Sequence, residues 1–224
     1  MKKNFVKITA IAAVAVLASC KSEPKNQAAA EEAVAIEEVA DAAAVTYSAD
    51  PANSVIEWKG FKPTGTHTGT LSISEGNFQM SGDEIVGGEF TIDMNTITVT
   101  DLEAGDGKED LEAHLKGTVE EKQDHFFNVE EFPTATFEVT GVKTEGEKTM
   151  MEGNLTIKGI TKNISFPVQM QNNGDMIEVS SEAFNIDRTQ WNVNYGSKSI
   201  FDDLGDKFIN DEIELSIKVA ANKA

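Results

Sequence analysis

Three histidines, His67, His114 and His125, are the side chains of this sequence best placed by type to move protons or bind metal near neutral pH. They fall in separate segments with no i, i+4 pair and no cysteine beside them, whereas zinc takes three or four nitrogen, sulfur or oxygen ligands. No metal site is expected from that spacing. The neighbours Asp187 and Arg188 suggest an ion pair, but adjacent residues on a strand face opposite sides. Each is expected to pair across to another strand in a structural role. Doublets such as Glu120-Glu121 and Asp202-Asp203 arise by chance in a chain with 38 acidic residues, and residues 101–107 only loosely resemble a calcium loop. No Gly-x-Ser-x-Gly elbow, phosphate loop or dinucleotide fingerprint is present. Spacing assembles no nucleophile, base or metal set, so the expectation is a protein that is not an enzyme and carries no cofactor.

The remaining reactive side chain is the single cysteine, Cys20. Lys2, Lys3 and Lys7 give the chain a positive front, and residues 8–17 form a short apolar run followed by Ala18 and Ser19. Ten apolar residues are too few for a membrane-spanning helix, which needs about 20, but suit the core of an export signal, about 7–15 residues long. Leu17-Ala18-Ser19-Cys20 resembles the lipobox of bacterial lipoproteins, in which the cysteine is acylated and becomes the first residue. That resemblance implies a signal peptide at 1–19, acylation of Cys20, and attachment to the cell envelope. Lys21 offers no aspartate-type cue for retention at an inner membrane, which favours an outer one.

Without a second cysteine no disulfide can form inside the chain, so an exported domain must rely on apolar burial. Loss of the leader lysines leaves 16 basic against 38 acidic residues, a net charge of −22 instead of −19. Such a field repels phosphate backbones, which excludes nucleic acid as an expected partner. Residues 20–46 are rich in Ala and Glu and read as a mobile spacer between bilayer and domain.

From Tyr47 onward the pattern alternates with period two, the mark of strands with one buried face. Ile56 and Trp58 alternate with Glu57 and Lys59, and Phe90 and Ile92 with Thr91 and Asp93. The same holds for Ala135, Phe137 and Val139, for Ile164, Phe166 and Val168, and for Ile213, Leu215, Ile217 and Val219. At least eight such runs, separated by Gly/Asn/Asp turns, predict an all-β antiparallel sandwich or barrel. Parity breaks between Ile177/Val179 and Phe184/Ile186, for which a bulge near Ser180-Ser181 is the expected cause. Leu111 and Leu115, four apart, predict a short helical insertion with Asp106 as N-cap. The inward set holds Trp58, Phe78, Phe90, Phe137, Phe166, Phe184, Trp191 and Tyr195. Alternation alone does not distinguish a filled interior from a lined cavity.

An ordered series of motifs carries a family resemblance. Ser54-Val55-Ile56-Glu57-Trp58-Lys59-Gly60 is followed by His67-Thr68-Gly69, Val86-Gly87-Gly88-Glu89-Phe90 and Leu111-Glu112-Ala113-His114-Leu115. Phe126-Phe127-Asn128-Val129, Phe132-Pro133-Thr134-Ala135-Thr136-Phe137, Gly153-Asn154-Leu155 and Phe184-Asn185-Ile186-Asp187-Arg188 complete it. Over 47–224 the chain resembles the YceI-like family. The departures are His125, where relatives often carry an acid, and residues 189–195, where they are Gly-rich. The resemblance implies an eight-stranded antiparallel lipocalin-like barrel whose tunnel binds a long apolar isoprenoid lipid of polyprenyl or quinone type. Its lining would include Trp58, His67, Phe78, Phe90, Ile92, His114, Phe137, Phe166, Phe184 and Trp191. His67 and His114 have two open readings, one beside a polar headgroup at the barrel mouth and one hydrogen-bonding loop backbone. An envelope interaction scaffold with a filled barrel is the alternative.

Overall fold

The computed structural model describes residues 26–36 and 44–224. Cys20 and the signal segment 1–19 lie outside the described residues. Ten strands run β1 Val45–Ala49, β2 Val55–Lys62, β3 Gly65–Ser81, β4 Glu84–Val99, β5 Thr134–Glu145, β6 Lys148–Ile157, β7 Ile160–Asn172, β8 Met176–Ser181, β9 Phe184–Asp187 and β10 Glu212–Lys223. Among the described residues one α-helix, α1 Lys108–Lys116, follows β4.

All strand pairings are antiparallel, and β10 closes the ring by pairing β2 and β1 on one side and β8 and β9 on the other. The ten strands occupy eight positions in the wall. β1 pairs both β10 and β3 and so continues β2, while β9 continues β8. The eight-stranded antiparallel barrel expected above is therefore the architecture found. The parity change between Val179 and Phe184 is taken up by a break at Glu182 and Ala183, not by a bulge at Ser180-Ser181. Actual bulges lie elsewhere, between Thr70 and Ser72 and between Ile73 and Glu75 on β3, and between Val139 and Gly141 on β5. They bend the long strands around the barrel. The hairpin joining β6 to β7 turns at Lys158 and Gly159, both at positive φ (48° and 72°), the pattern of a type I′ turn.

Three inward glycines shape the interior. Trp58 sits opposite Gly69, and Phe90 opposite Gly76. A Cβ on Gly69 would lie 2.4 Å from the Trp58 ring, one on Gly76 2.3 Å from Phe90, and one on Gly153 2.2 Å from Phe137. Each ring thus lies back against a bare patch of neighbouring backbone, the arrangement by which an aromatic covers a strand glycine.

The expected spacer is partly a wall element. Residues 26–36 lie in an opening between β9 and the first half of β7. β7 pairs β8 only from Val168 onward, leaving its earlier residues without that neighbour. Ala28 N–H donates to Asn185 O (2.8 Å) and Asn185 N–H to Asn26 O (3.1 Å), parallel to β9. Glu31 and Asn163 exchange N–H···O bonds of 2.9 and 3.1 Å, antiparallel to β7. Ala28 is buried and Ala30 packs on the core, so small side chains alternate inward as in a strand. The backbone then crosses β6, where the Asn154 side chain accepts from Val34 N–H (3.0 Å) and donates to Val34 O (2.7 Å). Backbone groups of β7 and β9 that need partners explain why this Ala/Glu run is seated here as a strap.

Gly153→Ala is expected to cost about 1–3 kcal/mol, because both the Phe137 ring and the Glu138 carbonyl oxygen, at 2.7 Å from the new Cβ, must move. Gly60→Ala, with nothing within 4 Å of the new atom, should change stability by less than about 0.5 kcal/mol. Urea unfolding of the two variants reads the contrast.

Candidate functional site

Where the rings lie against the wall, they leave a hollow along part of the barrel axis. A cavity of about 410 Å³ occupies the end capped by α1, and a second space of about 80 Å³ lies deeper. Ile56, Ile92, Leu155 and Leu215 border both, so the two are consecutive chambers of one axial hollow.

Every residue expected on the lining faces this hollow. Trp58, His67, Ile92, His114 and Trp191 border the outer chamber. Phe78, Phe90, Ile92, Phe137, Phe166 and Phe184 border the inner one. Aliphatic positions on the wall complete it, among them Leu71, Met94, Ile97, Ala135 and Leu155. Inside the inner chamber, Phe78 and Phe90 pack at 4.7 Å, and Phe166 stacks on Phe184 at 4.4 Å with rings 7° from parallel. The last pair joins β7 to β9 directly beneath the strap. Trp191 donates its indole N–H to Leu155 O (3.0 Å) and is wholly buried. The Trp58 indole N–H is buried and has no acceptor among the described residues.

The polar lining residues gather at the α1 end. Leu111 and Leu115 turn from α1 toward the outer chamber. The N-cap of the helix is Gly107 in the left-handed region, not Asp106, and it supplies no side-chain cap. The helix is instead tied to the barrel by Glu112, whose carboxylate accepts from Val99 N–H at 2.8 Å. His114 meets His125 with 2.8 Å between Nε2 and Nδ1, and His125 stacks on Tyr195 at 4.1 Å. Phe126 completes this cluster edge-on to His114. Tyr195 is 39% exposed and lines the chamber, so the cluster forms part of its mouth.

His67 also borders the outer chamber, with Nδ1 2.9 Å from Asp101, which also accepts from Thr68 N–H at 2.7 Å. Burial acts to raise the Asp101 pKa, but the bonds from Thr68 and His67 outweigh it and hold the carboxyl below its usual range. Both Asp101 oxygens are engaged, and no group of three or more metal-ligating side chains converges among the described residues. Among the described residues, neither His67 nor His114 bonds loop backbone through its ring. The first is held by a carboxylate and the second by another imidazole.

Arg188 has a structural role. Its guanidinium is buried and donates to the carbonyls of Val193, Ile209 and Asn210, with Asp211 3.8 Å away. Burial pushes its pKa down, against the pull of Asp211 and Asp187. Asp187 turns back to accept from Thr189 N–H and hydroxyl (3.0 and 2.7 Å). Together they fold the segment after β9 into a fixed rim that presents Tyr195. The pairing of His114 with His125 could not be read from spacing, because α1 and the Gln123–His125 turn are brought together only by the fold.

The geometry defines a hollow antiparallel barrel with an apolar interior and a polar mouth, a lipocalin-like binding fold. The chain belongs to the YceI-like family, whose domain model matches residues 47–221. Protein YceI of Salmonella arizonae and that of Salmonella newport are each 32% identical over 107 residues, a stretch covering 48% of this chain and 47% of theirs. The chain thus matches about half the length of these curated relatives. BcnA from Burkholderia cenocepacia has the same fold at a TM-score of 0.59 and 20% identity, covering 78% of this chain and 99% of that one. So has a polyisoprenoid-binding domain from Saccharophagus degradans, at 0.56 and 15%, covering 80% and 99%.

Burial first, then His125 and Lys122, hold His114 below its ordinary pKa; burial and Lys122 do the same for His125. A histidine depressed in the folded state contributes stability that is complete above its unfolded value near 6.5 and is lost as pH falls toward the folded value. The melting-temperature advantage of the native chain over His125→Gln should therefore shrink between about pH 7.5 and about pH 5. Thermal melts of both proteins at the two pH values check it.

Proposed function

We propose that the protein binds, stores or carries a long apolar lipid of isoprenoid type in its axial hollow, and performs no chemistry on it. The observation that carries this reading is the hollow itself, which a filled-barrel scaffold would lack. A chamber of about 410 Å³ lined by aliphatic and aromatic side chains lies within the roughly 300–1,000 Å³ typical of ligand pockets. Family membership and the polyisoprenoid-binding relative support the ligand class. Burial contributes about 0.8 kcal/mol per CH₂. Four or five buried isoprene units then yield very roughly 12–20 kcal/mol gross against association costs of about 4–15, so no charged anchor is needed.

The same proposal places the protein on the cell envelope, held by acylated Cys20, with the outer membrane favoured. Its support is the lipobox-like sequence ending at Cys20. Intact-mass measurement of the native protein should show a chain beginning at Cys20 and heavier by its acyl groups. An unmodified cysteine would remove the anchor from the proposal.

Protein purified from its own membranes should release an isoprenoid lipid on organic extraction, identified by mass spectrometry. Ala135 lines the outer chamber, and Ala135→Phe should lower affinity for a fluorescent apolar probe about tenfold or more, roughly 1.4 kcal/mol, with an unchanged far-UV spectrum. An empty extract together with probe binding unaffected by Ala135→Phe would end this reading.

A further inference from the structure

The outer chamber suits a drug-sized molecule, and a longer chain must continue into the inner one, which at about 80 Å³ is nearly shut. Phe166 and Phe184, from β7 and β9, border that inner chamber and stack on each other. Those two strands do not pair with each other along this stretch. The strand pair next to this opening forms an unbroken ladder. β6 and β7 are in register over every residue from Thr149↔Val168 to Ile157↔Ile160. Among the described residues, the backbone bonds bridging β7 and β9 are four from the strap, around Ala28 and Glu31, with Glu182 N–H to Pro167 O (3.2 Å) at the break before β9. The strap's inward side chains are alanines, which fill little space behind the stacked rings.

We propose that the strap and the Phe166–Phe184 stack form an expansion joint that sets how long an apolar chain the barrel admits. A short chain occupies the outer chamber with the joint closed. A long chain parts the two rings, moves β9 away from β7 and lifts residues 27–31 off their partners. The four backbone hydrogen bonds are then exchanged for bonds to water at a small net cost each, while every further CH₂ taken into the hollow adds apolar burial. The exchange favours chains long enough to fill both chambers. Polar pins hold the start of the strap: Lys148 bridges Asn26 and Glu182 at 3.2 and 2.8 Å at the break between β8 and β9.

This inference rests on the lipid-binding reading, and the test separates the two. Glu31 and Asn163 exchange both backbone bonds, a pair whose Cα atoms stand about 5.5 Å apart in an antiparallel ladder, within disulfide range. Glu31→Cys with Asn163→Cys, in a Cys20→Ser chain that has no other cysteine, locks the strap when oxidised and frees it when reduced. Affinities are measured for geraniol, farnesol and a long-chain polyprenol in both states. Oxidation should leave geraniol unchanged and weaken the polyprenol at least tenfold, with recovery on reduction. Equal affinity of oxidised and reduced protein for every length overturns the joint while leaving lipid binding intact; no binding of any length in either state overturns both. The unmutated protein gives a second reading by hydrogen exchange. The Ala28 and Glu31 amides should be protected without ligand and with geraniol, and lose protection with the polyprenol. Protection that persists with the polyprenol bound also overturns the proposal.

Discussion

The interior stays hollow because its largest side chains are laid flat. A barrel of eight strands has an interior about the width that side chains can fill unaided, and this one carries Trp58, Phe90 and Phe137 on its inner face. Had each faced an ordinary residue, the rings would stand toward the axis and meet. Instead Gly69, Gly76 and Gly153 leave the adjacent backbone bare, and the rings tilt onto it. The missing Cβ atoms account for both the stability of three aromatic contacts and the space in front of them. The depth of the hollow, its apolar character and the confinement of polar groups to the α1 end all follow from that arrangement.

Much of this is legible in the residues. Period-two alternation locates the strands because one face of each touches apolar neighbours and the other touches water. The ordered motifs fix the barrel topology, and the inward aromatics end up on the chamber walls. What alternation does not carry is depth, since a residue that points inward can fill the axis or line it. The glycines were the available signal. Gly69 lies in phase with Leu71 and Ile73, and Gly153 with Leu155, at positions where a strand interior normally carries a side chain.

The strap was hidden for a different reason. Alanine and glutamate in series look like a spacer or a helix, and nothing in residues 26–36 alternates strongly enough to read as a strand. The clue sits on the other partners. Asn154, Asn163 and Asn185 are asparagines in the middle of strands, where that residue is depleted. Asn154 and Asn163 are buried, bond each other at 3.1 Å, and need cover. Such residues in a sheet announce a polar segment laid on top of them, though not which segment. Likewise the His114–His125 contact depends on α1 meeting the Gln123–His125 turn, which no local pattern encodes.

The placement of β10 has a consequence for how the molecule is made. This strand alone contacts β1, β2, β8 and β9, so it is the stave that joins the two ends of the sheet. Synthesis delivers residues 212–223 after the other strands of the described residues. Until they emerge, the earlier hairpins can pair only as an open, curved sheet with two bare edges. Contacts over so long a sequence separation form slowly, which leaves the nascent polypeptide with an unclosed wall for most of its synthesis.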